Sequence, residues 1–261
     1  MNRIDLEFKR LKEENKKALV PFVTFDNLSK EELANLVIEI GEAGADLIEI
    51  GVPFSEPLAD GVVIQEAYSN SLKNGINIFD VLDSIKLIRK ESNIPIIVMV
   101  YYNLVYCFGV NEFLIKAKEV GIDGLIIPDL PLEEREDFLS LCEEYDIYLI
   151  PLVAPTSKKR IKSIINKGKG FVYCISSMGV TGERSGILNE DIIDYLNYVK
   201  KYSNIPFLIG FGISSAESAR EVSKYSDGVI VGSAVVKRIK DNTAIEFIKE
   251  IRLALNNMDK K

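Results

Sequence analysis

The 261-residue chain has no histidine, no tryptophan and only three cysteines. Without histidine there is no Ser-His-Asp arrangement and no imidazole ligand for a metal. Proton transfer must therefore fall to carboxylates, Tyr, Lys or Cys. The cysteines, Cys107, Cys142 and Cys174, are odd in number, scattered and without CxxC spacing. They fit reduced, packing thiols in a cytoplasmic protein better than a disulfide framework or a zinc site. Positive charge is also in short supply: 32 Lys and Arg face 39 Asp and Glu, for a formal net charge of -7. An acidic chain without a basic stripe is a poor partner for nucleic acid or an anionic membrane. A small anion is still admissible, because backbone N–H groups bind phosphate without Lys or Arg. No apolar run approaches the ~18 residues that span a bilayer. The opening MNRIDLEFKRLKEENK is polar and helical in pattern, with no signal-peptide core.

Apolar residues make up 47% of the chain, and α/β barrels commonly form one domain of about 250 residues. Eight short apolar runs read as strands, at 19–24, 46–50, 95–101, 123–127, 147–152, 170–175, 206–210 and 227–231. Amphipathic stretches separate them. In 31–43, Leu33, Leu36, Val37 and Ile40 share one side; in 243–256, Ile245, Ile248, Ile251 and Leu255 do. Strands that are apolar throughout and separated by helices predict a parallel sheet covered by helices. Eight such pairs favour a closed (β/α)8 TIM barrel over an open sheet, as a single domain over 1–261 with an extra N-terminal helix at 1–17. GADLIEIG, GIDGLIIP and YSDGVIVG echo one another, through ancestry or through a shared demand at strand entry. Two connections, 51–76 after the second strand and 176–188 after the sixth, are too long for simple turns. Barrel active sites are built from loops on that side.

Glu49 lies in the run Asp46-Leu47-Ile48-Glu49-Ile50-Gly51. Side chains alternate along a strand, so Ile48 and Ile50 face the covering helices and Glu49 faces the barrel interior. A carboxylate there is desolvated, and its pKa rises toward a useful acid–base range; a structural ion pair is the alternative. Asp60, in Pro57-Leu58-Ala59-Asp60-Gly61, reads equally well as turn chemistry. Two carboxylates at one mouth can divide acid and base roles. Gly210, Gly212, Gly232 and Ser233 follow the last two strands, where barrels often bind phosphate with a short helix N-terminus. The segment SSMGVTGERSG at 176–186 reads as a lid, with Gly182 a further phosphate contact, or as a plain surface loop. Phe22, Met99, Tyr101, Ile126, Leu152 and Tyr173 fall near strand ends and could line a flat apolar slot.

In seven segments the chain resembles the tryptophan synthase α subunit family over nearly its whole length: PFVTF at 21–25, GADLIEIGVPFSEPLADG at 44–61, YYNLVYCFG at 101–109, PDLP at 128–131, GVTG at 179–182, GFGIS at 210–214 and GSAVV at 232–236. The resemblance implies cleavage of indole-3-glycerol phosphate to indole and glyceraldehyde 3-phosphate. It implies Glu49 and Asp60 as catalytic residues. It also implies substrate contacts at Tyr173, Gly182, Gly210, Gly212, Gly232 and Ser233, with Thr181 and Phe211 inside the same motifs. No cofactor is expected in this chain; pyridoxal phosphate belongs to the partner β subunit, in an α2β2 assembly coupled through the long second loop and the lid. Pro53, Glu56, Asn103 and Pro131 are the expected partner contacts. Glu56 and Val62 depart from the family's usual Asp and Pro. A stand-alone indole-releasing lyase and a catalytically silent phosphate-binding barrel are the competing readings.

Overall fold

Runs of Val, Ile and Leu too short for helices, each entered through a polar or small residue, form the strands. The computed structural model describes residues 1–157, 160–175, 189–210 and 212–257. Among them the strands are β1 (Ala18–Val23), β2 (Ile48–Gly51), β3 (Ile96–Met99), β4 (Gly124–Ile126), β5 (Tyr148–Leu149), β6 (Leu152–Val153), β7 (Val172–Ile175), β8 (Phe207–Gly210) and β9 (Gly228–Val231). All pairings are parallel, in the order β5-β4-β3-β2-β1-β9-β8-β7-β6. The single strand expected at 147–152 is thus two pieces. Pro151 interrupts it, having no N–H to give to a ladder. The Ile150 N–H donates to Leu125 O on β4 at 2.9 Å, and Pro151 O accepts from the Tyr173 N–H on β7 at 2.9 Å. One broken stave therefore joins the two ends of the sheet, and the parallel sheet closes as a TIM barrel.

Alternation along the strands sorts the core into two clusters. Val20, Phe22, Leu47, Ile97, Met99, Ile126, Tyr173, Leu208 and Ile230 pack inside the ring. Ile48, Ile50, Val98, Val229 and their neighbours pack outward under the helices. The helix Lys30–Glu42 is started by a capping box between Ser29 and Glu32 and buries Leu33, Ala34, Val37 and Ile40. In the last helix, Ala244–Asn256, Phe247 takes the inward place expected of Ile245, which is half-buried.

At the N-terminal end of the barrel the repeated Asp has a physical reason. Asp46 Oδ2 accepts from the Leu19 N–H at 2.8 Å, Asp123 Oδ2 from the Ile96 N–H at 2.8 Å, and Asp227 Oδ2 from the Phe207 N–H at 3.0 Å. Each Asp satisfies an amide at the start of a neighbouring strand, which parallel pairing leaves unmet. Arg10 and Arg252 neutralise Asp46; Arg3 and Arg89 neutralise Asp123. The echo thus has a structural reason in strand entry. The helix Arg3–Glu13 closes this end, with Ile4 and Leu11 buried in the interior cluster and Phe8 against Phe171, ring centroids 5.8 Å apart. No helix among the described residues is long and apolar enough to cross a membrane.

The opposite end carries the long connections. The one after β2 holds a helix, Val62–Lys73, so its irregular part is only 52–61. The one after β9 holds a short helix, Ser233–Lys240, before the last helix. The segment 176–188 lies outside the described residues.

Candidate active site

Glu49 sits near the end of β2, paired in register with Phe22 of β1 and Ile97 of β3. It points inward, as alternation requires, and is 1% exposed. Its Oε2 is buried with no hydrogen-bond partner among the described residues. Burial, with a smaller push from Asp60, raises its carboxyl to about 8. At neutral pH it is therefore a protonated acid.

Asp60 is not spent on turn chemistry. The loop that bears it is pinned at both ends: the Val52 N–H donates to Met99 O at 2.9 Å, and Gln65 Nε2 donates to Asp60 O at 2.8 Å. Tyr101, just past β3, reaches across. Its ring stacks on Phe54 with centroids 4.8 Å apart, its hydroxyl accepts from the Ala59 N–H at 3.1 Å, and it donates to Asp60 Oδ2 at 2.7 Å. Burial raises Asp60 to about 6, with the Tyr101 hydrogen bond opposing. The two carboxylates thus differ in the way that separates an acid from an anion at pH 7.

Both line one cavity of about 500 Å³ at the C-terminal mouth of the barrel. Phe22, Met99, Ile126, Leu152 and Tyr173 line it as well, forming the apolar slot anticipated from the strand ends. Tyr101 is not on the wall but behind it, holding Asp60. Gly212, with φ +80°, and Gly232 and Ser233 line the other part. Gly232 is the N-cap of the helix beginning at Ser233, so free N–H groups at that helix start open onto the cavity. Gly210 stands apart: the Tyr173 ring and hydroxyl fill the space of its missing side chain, at 2.5–2.7 Å from where a Cβ would be. Its smoothness serves packing under Tyr173. Thr181, Gly182 and Phe211 lie outside the described residues.

Several wall residues escaped sequence reasoning. Lys237 and Arg238 are one turn into the helix after Ser233, beyond the GSAVV motif. Residue 237 is four positions from 233, so helical periodicity could have found it. Arg238 also lies 3.7 Å over the Phe247 ring and donates to Ala234 O at 3.1 Å, which leaves Lys237 the more available cation. Ser214 closes the GFGIS segment without having been singled out, and Ile64 had no local signal. Of the expected partner contacts, Glu56, Asn103 and Pro131 are exposed, whereas Pro53 is buried in this chain. Among the described residues no group of three or more His, Cys, Asp or Glu is placed to hold a metal ion. Cys107 is exposed and Cys142 and Cys174 are buried, all as free thiols.

A sequence profile described as tryptophan synthase alpha chain matches residues 8–261. The tryptophan synthase alpha chain of Clostridium beijerinckii is 53% identical over 254 residues, covering 96% of this chain and 98% of that one. That of Caldanaerobacter subterraneus is 50% identical, covering 97% and 96%. Among solved structures, the tryptophan synthase alpha chain of Legionella pneumophila superposes with a TM-score of 0.90 at 30% identity, covering 100% of both chains. With a matching profile over almost its full length and relatives at half identity, the chain belongs to the tryptophan synthase alpha chain family.

Proposed function

We propose that the cavity at the barrel mouth binds indole-3-glycerol phosphate and that Glu49 and Asp60 divide the chemistry of its cleavage. As a member of its family the protein is a carbon–carbon lyase yielding indole and glyceraldehyde 3-phosphate. The observation that carries the division of roles is the pair of carboxylates in one cavity with unequal protonation, Glu49 at about 8 and Asp60 at about 6.

Indole is a poor leaving carbanion. Protonated Glu49 gives its proton to ring C3, which turns the ring into a cationic leaving group. Ionised Asp60 faces the ring N–H and stabilises that charge. The bond between C3 and the first glycerol carbon then breaks, its electron pair restoring the aromatic ring. The hydroxyl on that carbon becomes the aldehyde, and its proton returns to Glu49, which is ready again. Every step is a proton transfer or a bond shift within the substrate. The ring fits the slot formed by Phe22, Met99, Ile126, Leu152 and Tyr173. The phosphate fits the Gly212 and Gly232–Ser233 end, with Lys237 adding charge.

The partner reading is supported by surface chemistry on the same face. Leu58 is 88% exposed and Tyr106 70%, alongside exposed Glu56, Asn103 and Pro131. Large apolar groups in the open beside an active-site mouth fit a docked β subunit, to which indole would pass. Tryptophan synthase of Mycobacterium tuberculosis contains a chain that superposes on this one with a TM-score of 0.87 at 32% identity.

The deciding experiment gives the purified full chain indole-3-glycerol phosphate, with and without a tryptophan synthase β subunit, and measures indole. Indole release stimulated by β is the expected result. No indole in either arm overturns the reading, and full-rate release without β favours a stand-alone lyase.

A further inference from the structure

Two buried polar atoms near the cavity lack a hydrogen-bond partner among the described residues: Glu49 Oε2 and the Tyr68 hydroxyl. A third such atom, Asp26 Oδ2, has Lys240 Nζ at 3.3 Å. Glu49 and Tyr68 have no such relief. One is an acceptor and the other a donor, and both belong to the barrel interior.

Their placement makes them a pair. Tyr68 is on the inward face of Val62–Lys73, the helix that starts directly after Asp60-Gly61. Its hydroxyl, with the Phe22 ring, occupies the place that a Gly51 side chain would take. Gly51 is two residues beyond Glu49 and therefore on the same face of β2. The two are not hydrogen-bonded to each other in this structure, and a rotation of the Glu49 side chain toward Gly51 carries its carboxylate toward the Tyr68 hydroxyl. Three other polar groups lie around Glu49, two of them hydrogen-bonded to each other. Asp60, from the loop after β2, already accepts from Tyr101. Tyr101, past the end of β3, is engaged with Asp60 and Ala59. Tyr173 of β7 has its hydroxyl over Gly210.

We propose that Tyr68 is a positioning residue for Glu49, its O–H donating to the Glu49 carboxylate whenever that group is ionised. The inference rests on the cleavage role given to Glu49 above. Protonated Glu49 faces the substrate ring. Once its proton has passed to C3, the carboxylate is held by Tyr68 as a defined base, oriented for the glycerol hydroxyl. Gly51 is small because the phenol needs its space.

Tyr68→Phe keeps the ring and removes the donor. In the full chain with saturating β subunit, kcat for indole release falls about tenfold while KM holds, because the hydrogen bond serves the ionised intermediate and not substrate binding. Loss of a donor to the charged form raises the Glu49 pKa by about one unit, so the limb of the pH–rate profile governed by Glu49 moves to higher pH. The same shift appears in the ligand-free chain as a later loss of the infrared carboxyl band that Glu49→Gln abolishes. Placing 3-fluorotyrosine at position 68 keeps the packing and strengthens the donor, so it moves that band the opposite way. Unchanged kcat and unchanged band midpoints overturn the proposal, as does a shift confined to the Asp60 carboxyl. If the wild-type chain releases no indole, the cleavage reading falls, and the infrared titration still decides whether Tyr68 holds Glu49.

Discussion

Glu49 is the residue at which burial and function conflict. Its folded-state pKa of about 8 lies above the ordinary 4.5. Between those values the folded chain holds a proton that the unfolded chain has released. Stability therefore falls as pH rises through that window and levels off above it. Glu49→Gln removes the penalty. Thermal or urea unfolding is expected to show the variant more stable than wild type at pH 9, on the order of a few kcal/mol, and close to wild type near pH 4. The same substitution removes the proposed proton donor, so indole release is expected to drop by at least about a thousandfold while glycerol phosphate binding stays nearly intact. Turnover that survives would show that another group protonates the ring. Asp60 responds to a different neighbour. Tyr101→Phe takes away the hydrogen bond that holds Asp60 down, so its pKa climbs above about 6. The acid limb of the pH–rate profile is expected to move toward neutral pH; a fixed limb would detach Tyr101 from Asp60.

At the scale of elements, the short helix Ser233–Lys240 ties the proposed phosphate end of the cavity to the rest of the barrel. Its first turn opens on the cavity, and Lys237 adds a cation one turn later. Its last residue, Lys240, reaches Asp26 after β1 and Glu66 on the helix behind Asp60, each at 3.3 Å. Lys237→Met should weaken inorganic phosphate and glycerol phosphate binding severalfold and reduce the salt dependence of that binding. Calorimetric titration at two salt concentrations reads both, and equal slopes would remove Lys237 from the site. Strand β2 shows a different constraint. At Gly51 an added methyl would meet the Tyr68 hydroxyl and the Phe22 ring. Gly51→Ala is expected to cost about 1–3 kcal/mol in urea unfolding, although Ala has the better strand propensity.

For the whole molecule, the two barrel ends do different work. The N-terminal end is a stability face: Asp46, Asp123 and Asp227 satisfy strand-entry amides, and the helix Arg3–Glu13 covers the interior with Ile4, Leu11 and Phe8. Deleting residues 1–13 exposes that interior and strips Arg3 from Asp123 and Arg10 from Asp46. A fall of many degrees in melting temperature is expected, with the cavity residues untouched in sequence. The C-terminal end carries the cavity proposed to bind substrate. Anything that binds there raises stability by mass action, about 2.7 kcal/mol at a hundredfold excess over Kd. A thermal shift with glycerol phosphate that disappears in Lys237→Met but persists in Glu49→Gln would separate binding from chemistry.

Much of this was written locally. The alternation Leu47-Ile48-Glu49-Ile50 settled which way Glu49 points, because a strand has only two faces and the apolar one must meet the helices. Eight apolar runs with helices between them pointed to a parallel sheet, since parallel neighbours need crossovers, and favoured its closure over an open sheet. The absence of histidine confined acid–base chemistry largely to carboxylates. What local sequence did not determine depends on residues far apart in the chain. Whether Asp60 was a turn residue or a site residue turned on Tyr101, 41 positions away. That Gly210 also leaves room for the Tyr173 ring and hydroxyl was not legible from its own loop. Pro151 hid a break inside one apolar run, and nothing in the local pattern singled out Tyr68, whose hydroxyl is buried and unpartnered among the described residues. Pattern fixes the face a side chain presents. Only the closed barrel fixes what meets it there, and burial between those groups sets the unequal protonation of Glu49 and Asp60.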